Sequence, residues 1–358
     1  MEKCENCLIP ASVPGVVIGS DGVCNLCKEF SVEEQAAHEE ERKIREQDLE
    51  QALRECKGKA EYDCVVPVSG GKDSIYLLYK LKVEYGLKIL AFTTDVNIPP
   101  IAWDNINRTI AKLDIPLIRY RPDHGFYRKL FRFLLMNQEE RGAVYSISYV
   151  YAPLFEGDAI RLAIEKKIPL VLAGYSPGQP EPERMLYEFP RKLITSIDWT
   201  PPELKRCVEF SEDELSHFYD PREQSDGASF PRYLAPYHAW SYNQEEIMAK
   251  VVELGLVASS KHASPIFSNY PINWLLMYSD LKHFGYNPYA PEFAALIREG
   301  KANRVHWKFL GPLVDFMIKK KVFLGREVKR SMEWLDLTES DLRINKARGA
   351  YDPPLGDA

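Results

Sequence analysis

The segment DCVVPVSGGKDS, residues 63–74, constrains this chain more than any other. It opens with a short apolar run, as expected of a strand buried on both faces. The run ends in adjacent glycines, and IYLLYKLKVEY follows at once with helical periodicity. A strand, a glycine turn and a helix start in direct succession put the turn at the carboxyl end of a parallel strand. Open α/β sheets bind ligands there. Three more apolar runs, KILAFTTD, PLIRYRP and IPLVLAGYS, alternate with the helical patterns WDNINRTIAKL and GDAIRLAIEKK. This alternation predicts an α/β fold: βαβ units forming a parallel sheet covered on both faces.

The turn suits phosphate. Gly70 and Gly71 let successive N–H groups converge on an anion, and the helix N-terminus adds partial positive charge. Ser69 and Ser74 bring hydroxyl donors, and Lys72 can neutralise charge on a leaving group. Asp73 would repel phosphate unless a Mg²⁺ lies between them. The letters exclude Walker A, which has four residues between its glycines and then Lys-Ser/Thr. The strand–helix setting argues against an ordinary Gly-Gly turn.

VPVSGGKDS followed by a helix resembles the PP-loop ATP pyrophosphatases, or adenine nucleotide α-hydrolases, over residues 60–180. The resemblance implies a PP-loop (HUP-like) domain that cleaves ATP between the α and β phosphates. An enzyme of this kind adenylates a carbonyl or amide-like oxygen, and a nitrogen or sulfur nucleophile then displaces AMP. It implies that Ser69, Gly70, Gly71, Lys72 and Ser74 cradle the phosphates. Lys72, Asp73 and Ser74 form the expected catalytic set, with Asp73 toward Mg²⁺. Thr94 and Asp95, after Thr93, end the second strand where the family holds adenosine. Gly174 and Ser176, around Tyr175, end the fourth strand. Many relatives carry acids just beyond; here Gly178 and Gln179 stand in their place, leaving Mg²⁺ to Asp73, Glu181 or Glu183.

Four of the seven cysteines lie in residues 1–30, as Cys4-x-x-Cys7 and Cys24-x-x-Cys27, sixteen residues apart. Two such pairs can wrap one tetrahedral ion with four thiolates, a closed shell whose role is structural. So small a unit, with almost no core, needs a staple to fold. Zn²⁺ is the expected ion; an iron–sulfur cluster and free thiols are the alternatives. The order CENCLIP, DGVCNLC, a charged helix and YDCVVPVSGGKDS resembles the N-acetyl sugar amidotransferase group of PP-loop proteins, as does LIREGKANR at 296–304. That group acts in surface-polysaccharide and nonulosonic-acid pathways. The resemblance implies a sugar nucleotide as substrate, its acetamido group becoming an acetamidino group with nitrogen from ammonia.

The remaining cysteines, Cys56, Cys64 and Cys207, form no pair of the kind that carries sulfur in thiolating relatives, and EERGAVYSISYVYAPLF contains none. Nor does any lie in a glycine-rich nucleophile elbow. A separate glutaminase subunit is therefore the expected ammonia source. A sulfurtransferase or tRNA-modifying enzyme is the second reading, and a zinc-ribbon binding module on an inactive PP-loop domain the third.

With 358 residues the chain is expected to hold several units. These are a Cys4 unit (1–30), a charged linker helix (31–58), the ATP pyrophosphatase domain (59–200) and a mostly helical substrate or partner domain (201–358). The linker reads as a solvated spacer, and strand runs stop near residue 200. A net charge of −6 gives no global field for nucleic acid, which enters only in the second reading. No signal-like or membrane-spanning run is seen, so a cytoplasmic setting is expected. His124 lies near the sheet edge. In RPDHGFYRKLFRF, Phe126, Leu130, Phe131 and Leu134 read as the inward face of a helix.

Overall fold

The structure, a computed structural model, describes residues 2–30, 32–177, 187–189, 191–196, 199–221, 230–264, 270 and 272–346. Gly178, Gln179, Glu181 and Glu183 lie outside the described residues, as does the side chain of His124.

Helix α1 (Val32–Glu55) leads into β1 (Cys64–Pro67), α2 (Lys72–Tyr79), β2 (Ile89–Thr94), α3 (Pro100–Leu113) and β3 (Leu117–Tyr120). Next come α4 (His124–Met136), α5 (Ala143–Glu165), β4 (Leu170–Leu172) and β5 (Arg232–Leu234). The remaining long helices are α6 (Gln244–Glu253), α7 (Asn273–Phe284), α8 (Ala290–Arg298), α9 (Arg304–Lys320) and α10 (Arg326–Leu335). The sheet order is β3-β2-β1-β4-β5, and every pairing is parallel. All four strands expected from the sequence are present, in one sheet.

The order explains where a ligand can enter. From β1 the chain steps outward through β2 to β3, then crosses back to β4 on the other side of β1. Connections after β1 and β4 therefore diverge, opening a crevice between their carboxyl ends. Side chains alternate across the sheet. Cys64, Val66, Ile89, Ala91, Leu170, Leu172 and Leu234 join one core. Val65, Leu90, Phe92, Val171 and Tyr233 join the other, with Ala159, Ile160 and Ala163 of α5.

Two expectations are corrected. Strands do not stop near residue 200: β5 pairs Arg232, Tyr233 and Leu234 with Leu170, Val171 and Leu172. Its three residues sit between Pro231 and Pro236, too short a run for period-two patterning to register. Nor is α1 a solvated spacer throughout. Residues 35–41 of it are exposed, but Leu49, Ala52 and Leu53, with Cys56 just beyond, are buried in the first sheet core. Asp48 on the same helix holds Arg232 of β5 at 2.8 Å and Tyr187 at 2.7 Å.

The C-terminal region is helical, as expected. Its core joins α7, α9 and α10 to α4 and α5, and Phe126, Leu130, Phe131 and Leu134 do point inward. The Cys unit has a small core of its own, with Cys4, Cys7, Ile9 and Cys24, completed by Ala294 and Ile297 of α8.

Candidate active site

The loop after β1 sits at the crevice. Gly70 turns with φ +81°, and Gly71 precedes α2 in an extended conformation. The Ser69 hydroxyl accepts from Gly71 N–H at 3.4 Å and lies 3.3 Å from the Ser74 hydroxyl. The Ser74 hydroxyl donates to the Gly71 carbonyl at 3.0 Å, closing the loop on the first turn of α2. Asn105 of α3 clamps it from outside, donating to the Gly70 and His262 carbonyls, each at 2.9 Å. The strand beside it fits tightly: a Cβ on Gly174 would lie 2.9 Å from the Ser74 nitrogen. The segment after β4 and the first turn of α2 thus touch through backbone, which a side chain at 174 would force apart.

Lys72 and Asp73 form a closed ion pair at 2.6 Å, with Lys72 buried. Two tyrosines from the segment after β5 hold it. Lys72 Nζ donates to the Tyr242 hydroxyl at 3.3 Å, which donates to Asp73 Oδ1 at 3.2 Å, and Tyr237 donates to the Asp73 carbonyl at 2.8 Å. Burial alone would pull the Lys72 ammonium down; the Asp73 carboxylate and the Tyr242 oxygen outweigh it and hold Lys72 above its usual range. Lys72 therefore remains a cation in this buried position, as a group meeting phosphate charge must. Across from the pair, burial pushes the Glu292 carboxyl of α8 up to about 8, with Lys72 opposing and Asp73 reinforcing. Asp73 and Glu292 are the carboxyl groups set against Lys72, and once Glu292 gives up its proton the two could hold a Mg²⁺ through hard oxygen donors.

Above the loop lies a cavity of about 580 Å³, within the usual range for small-molecule sites. Ser69–Ser74, Thr93, Thr94 and Gly174–Ser176 line one part of it, and residues of α7, α8 and α9 another. The structure thus gathers Ser69, Gly70, Gly71, Lys72, Asp73, Ser74, Thr94, Gly174 and Ser176 around one space. The Thr94 hydroxyl is buried without a hydrogen-bond partner among the described residues. Asp95 is engaged elsewhere, paired with Arg119 and, at 3.3 Å, with Arg121; those arginines and its Ile98 N–H bond outweigh burial and hold its carboxyl low. Tyr237, Tyr242, Asn105 and Glu292 carry no local motif, and sequence reading misses them. Of the histidines, His262 borders the cavity, with its Nδ1 3.0 Å from Ser259 and Nε2 3.4 Å from Asp104.

The Cys unit forms part of the cavity wall, through Lys3, Cys7, Leu8 and Pro10. Its four sulfurs lie within 4.8 Å of one another, with Cys4–Cys27 at 3.8 Å and Cys7–Cys24 at 3.7 Å. A tetrahedral ion with metal–sulfur bonds near 2.3 Å separates its sulfurs by about 3.8 Å, so the four cysteines fit one ion. Burial would raise the Cys4 thiol, but backbone N–H groups of Cys7, Cys24 and Asn6 outweigh it and bring it down to about 7. Burial pushes two of its partners the other way, Cys27 up to about 11 and Cys7 further, so a bound cation would be what holds all the sulfurs as thiolates.

No protein-family model matches the chain, and no curated protein matches it by sequence. Among solved structures, U34-tRNA thiolase NcsA from Methanococcus maripaludis, described with its [4Fe-4S] cluster, superposes with a TM-score of 0.35 and 14% identity over 95% of this chain and 90% of its own. NMN synthetase from Francisella tularensis gives 0.35 and 12% over 86% and 98%, and NH3-dependent NAD synthetase from Campylobacter jejuni 0.35 and 14% over 83% and 97%. Superpositions this loose assign no role to any residue here.

Proposed function

We propose that this chain is an ATP-dependent amidotransferase acting on an amide or carbonyl oxygen, that of an N-acetyl group on a sugar nucleotide. The observation that carries the reading is the Lys72–Asp73 pair, held by Tyr237 and Tyr242 at the mouth of a glycine loop that opens into the cavity. ATP lies with its phosphates on Ser69–Ser74. Mg²⁺, when bound by Asp73 and Glu292, neutralises phosphate charge. The acceptor oxygen attacks the α-phosphorus, the bond to the bridging oxygen breaks, and pyrophosphate leaves with the electron pair beside Lys72. Ammonia then adds to the activated carbon, the carbon–oxygen bond breaks, and AMP leaves carrying that oxygen. One proton is released overall for each ammonium consumed. A preorganised cation at the leaving group stabilises the charge that develops in the first step.

Sulfur is the second reading, favoured only by Cys7 on the cavity wall. Four thiolates closed on one ion leave no free nucleophile. Cys64 lies in the sheet core, Cys56 donates to the Leu53 carbonyl, and Cys207 packs on the helical core. We assign the ion as Zn²⁺, since a four-iron cluster binds each cysteine to a different iron and needs the sulfurs spread wider. Ammonia comes from a separate glutaminase subunit in a cytoplasmic setting; among the described residues no helix is long and apolar enough to cross a membrane.

The test uses ATP labelled at the α-phosphate. AMP and pyrophosphate should form with an acetamido sugar nucleotide plus ammonia, and the rate should fall at least about a hundredfold in Lys72→Ala. Glutamine should replace ammonia only when the partner is added. Cleavage driven by tRNA instead would establish the sulfur reading, and ATP binding without α–β cleavage the inactive one.

A further inference from the structure

Part of the cavity has a chemistry the phosphate loop does not use. Asn287, between α7 and α8, donates to Asp315 Oδ1 of α9 at 3.2 Å, and its own oxygen accepts from Tyr289 N–H at 3.1 Å. The Tyr289 hydroxyl donates to Asn273 Oδ1 at 2.6 Å. These bonds fix the orientation of both amides. Among the described residues they leave Asp315 Oδ2 as an open acceptor and Asn273 Nδ2 as an open donor, both on residues lining the cavity. Trp274, Tyr286 and Trp307 line it too, and Trp307 is braced by Phe293 with ring centroids 3.6 Å apart. Lys3 from the Cys unit and Lys319 from α9 bring two cations close to Asp315.

We infer that Asp315, Asn273 and these aromatic rings form the acceptor subsite and bind a hydroxylated sugar ring whose phosphates face Lys3 and Lys319. A hydroxyl both donates and accepts, so neighbouring sugar hydroxyls satisfy a fixed carboxylate oxygen and a fixed amide N–H together. The C–H face of the ring covers an aromatic plate while its edge remains polar. A bare N-acetyl amino acid offers the same amide but neither feature. The inference rests on the amidotransferase reading for the direction in which the acetamido group points, toward Lys72; the binding of the ring stands on its own contacts.

Binding is measured without ATP, on the metal-loaded full chain, by calorimetry and saturation-transfer NMR. The probes are UDP-N-acetylglucosamine, UDP-N-acetylgalactosamine, free N-acetylglucosamine and N-acetylalanine. The sugar nucleotides should bind, and N-acetylalanine should not. Asp315→Ala and Asn273→Ala should each weaken sugar-nucleotide binding by about tenfold or more. ATP affinity, staying within about twofold of wild type, reports an intact fold in the same variants. Lys319→Ala should weaken the sugar nucleotides and leave the free sugar unchanged. Equal binding of N-acetylalanine, unchanged affinity in the Asp315 and Asn273 variants, or no binding of either sugar nucleotide would overturn the inference. Sugar binding that depends on Asp315 in a chain that never forms AMP would uphold it and sink the amidotransferase reading instead.

Discussion

At Gly70 the backbone has φ +81°, and a Cβ would stand 2.5 Å from the carbonyl oxygen of Ala102. Neither the left-handed turn nor that approach is open to another residue, and the neighbour is backbone, which cannot swing aside. Gly70→Ala is expected to cost about 1–3 kcal/mol in urea unfolding and to lower ATP affinity at least about tenfold. Retained nucleotide binding would mean the N–H groups of this loop do not hold the phosphates. Glu292 gives a pH signature at the same scale. Its carboxyl, pushed up to about 8 from an ordinary 4.5 by burial, keeps its proton in the folded chain where the unfolded chain has released it. Folding therefore takes up a proton between those values, and this contribution to stability is full below about 4.5 and lost as pH rises to about 8. Allowing for water in the cavity, it is on the order of 2 kcal/mol. Wild type should lose that much more stability than Glu292→Gln between pH 5 and 8 in urea titrations; parallel pH curves would refute it.

Among the elements, α1 and β5 divide what a sequence reader can see from what it misses. Ser69–Ser74 is legible because strand, glycines and helix are contiguous, so one short window holds the whole argument. Gly174 and Ser176 are legible through the apolar run of β4. Tyr237 and Tyr242 are not, because β5 carries them to Asp73 across more than 160 residues of chain. A three-residue strand between prolines has no period to detect. The buried stripe of α1 was visible as Leu49, Ala52, Leu53 and Cys56 at helical spacing, but its charged neighbours argued for solvent. Leu53→Ala is expected to destabilise the chain by about 2–4 kcal/mol, the cost of a cavity in a packed core. Arg232→Ala breaks a half-exposed bridge to Asp48 and Glu188 and should cost about 1 kcal/mol or less. Chemical denaturation of both variants tests the contrast, and a larger loss in the arginine variant would show that the bridge, not the apolar stripe, holds the helix.

In the whole molecule, one cavity is walled by the sheet edge, the helical region and the Cys unit. The four cysteines point to a metal site in the sequence, but nothing there says that the unit leans on α8 and shares a cavity with the Ser69–Ser74 loop. Stripping the ion with a chelator, or Cys24→Ser, should expose the thiols to a colorimetric reagent and lower the melting temperature. Sugar-nucleotide binding should weaken, because Lys3, Leu8 and Pro10 lose their fixed positions, while ATP binding on the far wall persists. Parallel loss of both affinities would mean the ion holds the entire fold.

The seating of the Cys unit on Ala294 and Ile297 also sets an order of events during synthesis. The ribosome delivers Cys4 to Cys27 first and the helix that completes their core roughly 270 residues later. At ordinary elongation rates that interval is on the order of tens of seconds. During it the segment has only its own small apolar core, so an ion on the four sulfurs would have to supply the rest of its stability. An ion taken up by the four cysteines would therefore act while the chain is still being made, before α8 arrives to complete their core.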